Sequence, residues 1–248
     1  MITYTKQDLE EMLHNFACFL TGYNQMDPSI HDRKFNPERR YYGNDWPQHA
    51  ITMIGVNRLL NIRDLFFNVI ENNVPGDFIE TGVWRGGACI FAANLLKLLK
   101  IKDRNVWVCD SFAGLPKPDP KYPVDNNDPH HTYQQLIVSL EEVQRNFLTF
   151  NLLDPNVRFM KGWFCDTLPK IDSKFAIVRL DGDMYGSTID GLENLYHKLS
   201  LGGYIIIDDY GLPGARAAVD DYRKQHNITD TLHQIDPYSK SAYWQKTK

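Results

Sequence analysis

Apolar side chains recur at helical spacing in two stretches near the start of the chain. In residues 1–22 these positions are Leu9, Met12, Leu13, Phe16, Phe19 and Leu20. In residues 48–72 they include Ile51, Ile54, Leu59, Ile62, Leu65 and Phe66. Intervals of three and four residues predict a helix in each stretch. Residues 21–48 are polar, aromatic and interrupted by proline, which predicts a long loop or short irregular segments.

From Pro75 onward the pattern changes to short apolar runs that alternate with amphipathic segments. The runs predict strands at residues 77–83, 105–111, 156–162, 174–181 and 203–209. The segments between and after them predict helices at residues 86–100, 131–147, 187–200 and 213–226, the third capped by Ser187 or Thr188. Residues 231–236 and 242–246 predict a closing hairpin.

The runs "FAIVRL" and "YIIID" are continuously apolar rather than alternating. Such runs are typical of strands that are covered on both faces in a parallel sheet. The chain is therefore predicted to be an α/β protein, with a doubly wound, mostly parallel sheet behind an N-terminal helical extension.

Composition narrows the classes of function. The chain has 248 residues, 43% of them hydrophobic and 23% charged, with a formal net charge of −4. This balance gives no general electrostatic reason to bind nucleic acid or an anionic membrane. There is no apolar run of membrane-spanning length and no signal-peptide pattern at the N-terminus, so we expect a cytoplasmic protein. The four cysteines lack paired metal-binding spacing and are interpreted as structural.

Ligands of open α/β sheets bind beyond the carboxyl ends of the strands. The first predicted strand ends in "ETGVWRGGA", where Glu80 precedes a glycine turn into a helix. The glycine spacing fits neither a dinucleotide fingerprint nor a phosphate loop, and a plain strand-to-helix turn explains it equally well. Asp110 ends the second strand, a position that commonly binds ribose hydroxyls, although it can instead cap the following turn. Trp163 and Phe164 follow the third strand and offer flat surfaces for an adenine ring, or for core packing.

Four carboxylates follow the last two strands of this series: Asp181, Asp183, Asp208 and Asp209. One helix and a return strand separate the two pairs, so the pairs are expected to meet at adjacent strand ends. Carboxylates this close repel one another unless a positive charge lies among them. The pattern predicts a site for a hard divalent cation such as Mg²⁺. The alternative is a turn cap at Asp183 and a solvated Asp209.

Five ordered motifs, "ETGVWRGGACIF", "DSFAGLP", "GWFCDTLP", "RLDGDMYGST" and "GGYIIIDDYG", resemble the macrocin O-methyltransferase family. Members are S-adenosylmethionine- and Mg-dependent sugar O-methyltransferases of natural-product biosynthesis. The resemblance covers about residues 40–246 and implies a Rossmann-like class I methyltransferase core at residues 75–248. Residues 1–74 are then an extension of the same domain that covers the acceptor. A lid insertion is implied at about residues 115–147, and its segment from Leu115 to about His131 lies over the acceptor.

The resemblance also implies roles for individual residues. Asp181, Asp208 and Asp209 match the metal-binding carboxylates, and either Asp181 or Asp183 is the catalytic base. The residues implied in cofactor binding are Met53, Glu80, Thr81, Gly82, Arg85, Asp110, Ser111, Gly162, Trp163, Phe164 and Asp181. His49, His130 and His131 are alternative bases.

The expected reaction is methylation of one of two neighbouring hydroxyls on a small-molecule sugar, diol or catechol, by a homo-oligomer. A nicotinamide-dependent oxidoreductase and a non-catalytic nucleoside-binding or assembly protein are the competing hypotheses.

Overall fold

The protein forms one seven-stranded sheet with helices on both faces, as seen in a computed structural model that describes residues 4–238 and 240–248. The helices are α1 (Lys6–Leu20), α2 (Pro37–Tyr41), α3 (Gly55–Glu71), α4 (Gly87–Leu98), α5 (Leu140–Thr149), α6 (Phe164–Thr167), α7 (Tyr185–Leu195) and α8 (Pro213–Gln225). The strands are β1 (Asp77–Thr81), β2 (Val106–Asp110), β3 (Val157–Lys161), β4 (Phe175–Leu180), β5 (Leu199–Ile207), β6 (His233–Gln234) and β7 (Ala242–Gln245).

The strand order is β3-β2-β1-β4-β5-β7-β6. The first five strands in the chain are mutually parallel, whereas β7 runs antiparallel to both of its neighbours. The chain winds outward from β1 to β3, then returns to the other side of β1 and winds outward again through β4 and β5. The topological switch point therefore lies between β1 and β4, which is where such sheets bind ligands.

Two apolar cores cover the two faces of the sheet. Successive strand residues point to opposite faces, so Ile177 joins the core beneath α1, α3 and α4, and Val178 joins the core beneath α7 and α8. Both side chains are fully buried. Burial on both faces explains why β4 is apolar along its length rather than alternating, and it confirms the doubly wound parallel sheet.

Residues 21–48 form an ordered connection that contains α2 and lies against the rest of the N-terminal extension. Arg40 is fully buried there; its guanidinium pairs with Asp45 and donates to the backbone carbonyls of Thr21 and Asp27. A buried arginine with this many acceptors fixes irregular chain that has no repetitive backbone pairing of its own.

The N-terminal helix is confirmed from Lys6, while residues 1–3 of the predicted span lie outside the described residues. The prediction that helix runs through residues 48–72 is wrong at its start, because α3 begins only at Gly55. The amides of Ile51 and Thr52 donate to the carbonyl of Leu20 instead, and Gly55 has a φ of +79° that turns the preceding chain away from the helix axis.

The predicted helix at residues 131–147 is also too long. Its first part forms two 3₁₀ turns, His130–Thr132 and Gln134–Leu136, and α5 begins at Leu140 after Ser139, whose hydroxyl accepts the amide of Glu142. The indole of Trp84 donates to the carbonyl of Gln135 at 2.8 Å, which ties this non-helical stretch to the turn after β1.

The predicted cap of α7 is wrong as well. The helix begins at Tyr185, so Ser187 and Thr188 lie within its first turns and are buried. The residue before the helix, Met184, has no side chain that could accept the first amides. Those amides are bonded by a residue from another part of the chain, as described below.

Within the described residues, none of the helices combines the length and the apolar character that a membrane span requires.

Candidate active site

A cavity of about 830 Å³ opens at the carboxyl ends of β1, β2, β4 and β5. It lies at the topological switch point, between the sheet and the segment of residues 111–139. Eleven of the predicted site residues lie on its wall: Met53, Glu80, Gly82, Asp110, Ser111, Trp163, Phe164, Asp181, Asp183, Asp208 and Asp209.

The floor of the cavity is an ionic cluster built by strand register. Glu80 on β1 is paired with Arg179 on β4, and parallel neighbours in register present their side chains on the same face. The Arg179 guanidinium, 1% exposed, pairs with Glu80, with Asp208 and, at 2.8 Å, with Asp181. The thiol of Cys89 donates to the other oxygen of Glu80 at 2.9 Å. Arg179 thus links the end of β1 to the ends of β4 and β5.

A second arginine reaches the cluster from the N-terminal extension. Arg58 on α3 pairs with Asp208 and donates to the carbonyl of Gly43 at 2.9 Å. Asp208 is buried, and its Oδ1 accepts no hydrogen bond of ordinary geometry among the described residues, although Arg179 lies within ion-pair distance. Two arginines therefore supply part of the positive charge that the clustered carboxylates require.

Three of the four clustered aspartates are placed to share a cation. Asp181, Asp208 and Asp209 each bring one carboxylate oxygen to within 4.8 Å of the other two. Hard carboxylate oxygens in this number suit a divalent cation that keeps water ligands, such as Mg²⁺. Such an ion would also coordinate Oδ1 of Asp208, which accepts no hydrogen bond of ordinary geometry among the described residues. The donor set therefore fits the predicted metal.

Asp183 does not belong to this group of three carboxylates in the described part of the chain. Its backbone has a φ of +58°, a conformation that Asp and Asn adopt more readily than most residues. Its amide donates to Asp209 Oδ2 at 2.9 Å, which fixes the backbone while leaving the side chain facing the cavity.

Burial and mutual repulsion raise the pKa of Asp183, Asp209 and Glu80. Burial, followed by the charges of Asp181 and Asp128, raises the pKa of Asp183 well above its ordinary value. Burial and the charge of Asp183 do the same to the pKa of Asp209. For Glu80, burial raises the pKa to about 7, and Arg179 opposes the rise. A cluster in this state favours uptake of a proton or a cation.

Asp110 combines a structural and an accessible role. Its two oxygens accept the amides of Val83 and Phe112, each at 2.7 Å, so it does hold the turns after β1 and β2. The Ser111 hydroxyl also approaches Oδ1 at 3.4 Å. Each carboxylate oxygen has two lone pairs and Asp110 lies on the cavity wall, so capacity remains at Oδ2 for a hydroxyl of a ligand. Trp163, on the same cavity wall, is 41% exposed as a residue, which suits a stacking surface better than a core position.

Thr81, Arg85 and Gly162 are described residues that lie outside the cavity wall. Thr81 is buried and its carbonyl accepts the amide of Asp181. The Arg85 guanidinium donates to the carbonyls of Gln48 and Ala50, and the amide of Gly162 donates to the backbone carbonyl of Asp110. These contacts shape the site from behind, and direct contact of the three residues with a cofactor stays a prediction.

Residues of the predicted lid cover the cavity as far as Leu136. The last part of the predicted span does not, because α5 packs into the core through Val143 and Phe147. His130 lies on the wall with its ring 2.9 Å from Asp128. The ring of His131 contacts the Asp128 carbonyl, and His49 is exposed and lies outside the wall.

Arg58, Arg179 and Cys89 were missed by sequence reasoning. Arg179 did carry a signal, since it is the one charge inside the run "FAIVRL" and a buried strand tolerates a charge only with a partner. Arg58 and Cys89 carry no comparable signal, because they lie in the helices α3 and α4, where no continuous apolar run marks them as exceptions.

We expect Gly82→Ala to destabilise the fold more than a matched glycine substitution. Gly82 has a φ of +84°, and a Cβ there would lie 1.7 Å from the Asp181 carbonyl oxygen, so β4 would have to move. Gly202 has a similar φ of +81°, but its Cβ would meet only a Val74 methyl at 3.0 Å. Gly202→Ala should lower the free energy of unfolding by about 1–2 kcal/mol, and Gly82→Ala by about 3–5 kcal/mol because overpacking is added. Urea denaturation measures both, and equal losses would contradict the close approach of β1 and β4.

The fold and site together define a class I methyltransferase, since the strand order, the antiparallel strand β7 beside β5 and the ligand cavity at the β1–β4 switch occur together. The chain matches the family model described as Macrocin-O-methyltransferase (TylF) over residues 3–246. It belongs to this family and is an O-methyltransferase.

Named relatives agree with this assignment. The chain is 50% identical to demethyldecarbamoylnovobiocin O-methyltransferase of Streptomyces niveus, over 98% of this chain and 96% of the relative. It is 46% identical to mycinamicin III 3''-O-methyltransferase of Micromonospora griseorubida, over 98% and 94%. The solved structure of the O-methyltransferase NovP, 47% identical, superimposes with a TM-score of 0.93 and covers 97% of this chain and 100% of that one. The family is thus one of natural-product O-methyltransferases, and neither of the two competing hypotheses is supported.

Proposed function

We propose that the protein transfers a methyl group from S-adenosylmethionine to a sugar hydroxyl of a glycosylated natural product, with Mg²⁺ as a second cofactor. The observation that carries the proposal is the three-carboxylate group of Asp181, Asp208 and Asp209 on the wall of the methyltransferase cavity, with Asp183 beside it. Two of the named relatives act, by their names, on a demethyl-decarbamoyl-novobiocin and on a 3'' position of mycinamicin III, which supports a glycosylated acceptor.

The cofactor end of the site is assigned to the strands β1 and β2. Glu80 offers a carboxylate to a cationic amino group, and Asp110 offers oxygens to ribose hydroxyls. Trp163 and Phe164 provide flat apolar surface for the base. S-adenosylmethionine supplies an activated methyl group and Mg²⁺ lowers the pKa of a nearby hydroxyl, so the protein's own task is positioning and proton transfer.

The protein residues divide that task. Asp181, Asp208 and Asp209 would hold the metal, while Arg179 and Arg58 fix the orientation of Asp181 and Asp208. Asp183 would take the proton of the acceptor hydroxyl, because it lies beside the three metal carboxylates without belonging to the group. A pKa raised by burial and by Asp181 matches a general base better than an ordinary aspartate does. Desolvation of these groups by the lid would strengthen the interactions among them.

A thermal-shift comparison tests the cofactor assignment. We expect S-adenosylhomocysteine to raise the Tm, since a ligand at 100 times its Kd adds about 2.7 kcal/mol of stability, and NAD to leave it unchanged. The same additions to Asp110→Asn should give a smaller shift with S-adenosylhomocysteine. Stabilisation by NAD alone would overturn the assignment. Transfer of labelled methyl to demethyldecarbamoylnovobiocin or mycinamicin III then tests the acceptor class.

A further inference from the structure

Asp125 is a buried carboxylate in a segment that is otherwise largely open to solvent. It ends the 3₁₀ turn Pro123–Asp125 in the lid and is 2% exposed, whereas Val124 beside it is 44% exposed. A carboxylate this buried requires hydrogen-bond donors to offset the loss of its water. The groups that donate hydrogen bonds to Asp125 therefore indicate its role.

Both oxygens of Asp125 bind the start of α7. Oδ1 accepts the amide of Tyr185 at 2.8 Å, and Oδ2 accepts the amide of Gly186 at 3.1 Å. These are the first two residues of the helix, whose amides lack partners within it. Since Met184 offers no side-chain acceptor, the lid supplies both the cap and a negative charge at the positive end of the helix.

Two glycines make room for this contact. A Cβ at Gly214, in the first turn of α8, would lie 2.5 Å from Asp125 Oδ1. A Cβ at Gly186 would lie 3.2 Å from the ring of Tyr122, which itself packs on the ring of Tyr185 at 4.8 Å. This part of the lid thus packs closely into a recess between the starts of α7 and α8.

The start of α7 is also the end of the segment that carries the reacting carboxylates. Residues 181–184 lead directly into Tyr185, and within that segment Asp183 is held at a φ of +58° by the bond from its amide to Asp209. A change in the position of the first turn of α7 would be transmitted to Asp183 through only one intervening residue, Met184. Lid closure and the arrangement of Asp183 are therefore mechanically connected.

We propose that Asp125 is a positioning residue that couples lid closure to the arrangement of Asp183. When the lid packs against the starts of α7 and α8, Asp125 completes the first turn of α7 and thereby holds Asp183 in place for proton transfer. The proposal rests on the proposed function in one respect, the role of Asp183 as base. The hydrogen bonds of Asp125 to α7 and the packing of the lid between α7 and α8 do not depend on that role.

Asp125→Asn is the decisive variant, because asparagine keeps the shape and one acceptor oxygen. We expect kcat to fall about tenfold in Asp125→Asn and about a hundredfold in Asp125→Ala, with the KM for S-adenosylmethionine changed less than about threefold. In hydrogen exchange, peptides covering residues 115–136 and 183–195 should both exchange faster, while peptides covering β2 should not. Asp221→Asn is the control. Asp221 accepts the hydroxyl of the same Tyr185 from α8 but accepts no amide among the described residues, so both measurements should match the unmodified chain.

A double-mutant cycle separates positioning from a purely structural cap. In an Asp183→Asn background, Asp125→Asn should lower the remaining rate less than about twofold, because residues that act through one another are non-additive. The same tenfold loss in both backgrounds, or an unchanged kcat in Asp125→Asn, would overturn the proposal. If the unmodified chain transferred no methyl group to any acceptor, the proposed function would fail. Unchanged lid exchange in Asp125→Asn would then still overturn the coupling of lid and helix, whereas faster exchange in both peptides would support it.

Discussion

Asp183→Asn is expected to lower kcat by about 10³-fold, within the range of 10²–10⁴ that general-base catalysis contributes. Asparagine fits the site without strain, because it tolerates the positive φ of residue 183 and keeps the hydrogen bond from the backbone amide of that residue to Asp209. The KM for S-adenosylmethionine and the affinity for Mg²⁺ should change little. Steady-state kinetics with labelled cofactor, together with Mg²⁺ titrations, measure these quantities.

The contrast with Asp181→Asn makes the expectation specific. Asp181 lies two residues earlier, contributes an oxygen to the group of three and pairs with Arg179 at 2.8 Å. Its substitution should weaken Mg²⁺ binding, and higher Mg²⁺ should restore part of the activity. If instead Asp183→Asn responded to added Mg²⁺ and Asp181→Asn did not, the two roles would be the reverse of those proposed.

Asp183→Asn should also leave the Tm unchanged or raise it. The pKa of Asp183 is raised mainly by burial, so its ionised form is unfavourable in the folded chain. Removing that charge relieves repulsion with Asp181 and Asp128. An inactive variant that is as stable as the parent would exclude misfolding as the cause of the lost rate.

The parallel sheet was predictable because its strands carry a strong signal. Burial on both faces makes "FAIVRL" and "YIIID" unbroken apolar runs, and the intervening helices have regular spacing. Helix boundaries were less predictable where distant contacts decide them. The start of α3 depends on the carbonyl of Leu20 and the start of α7 on Asp125, and neither partner is close in sequence to the boundary that it sets. The start of α5 is capped locally by Ser139.

The site was predictable to the extent that strand ends are. Every carboxylate singled out from a strand end lies on the cavity wall, because parallel strands bring their carboxyl ends to one edge. The sequence did not predict how their charges are balanced. Carboxylate repulsion indicated a positive charge, and a metal was inferred, yet Arg179 and Arg58 already supply two such charges. Pairing across strands and from α3 is a property of the tertiary structure.

The presence of two arginines raises the question of whether the carboxylate cluster requires a metal ion at all. If Arg179 and Arg58 were sufficient counter-ions, EDTA would leave the activity unchanged. We expect EDTA to lower it more than about 100-fold and Mg²⁺ to restore it, because an arginine has no vacant position for an acceptor oxygen, whereas a metal keeps exchangeable ligands. The loss should occur without a large change in Tm, since the arginines hold Glu80 and Asp208 in either state.

Asp209→Asn is the substitution that tests the metal site with least damage to the fold. Asp208 is a poor choice, because its removal would leave Arg58 and Arg179 partly unpaired in a buried position, and a broken buried pair costs about 3–5 kcal/mol. Asp209 pairs with neither arginine among the described residues, and asparagine can still accept the amide of Asp183. We expect Asp209→Asn to raise the Mg²⁺ concentration needed for half-maximal activity at least about tenfold, with the shift from S-adenosylhomocysteine in thermal unfolding retained. Titration with Mn²⁺, followed by its electron paramagnetic resonance signal, measures the loss of affinity without turnover. Equal Mn²⁺ binding by the parent chain and by Asp209→Asn would place the ion elsewhere and leave the carboxylate group balanced by arginine alone.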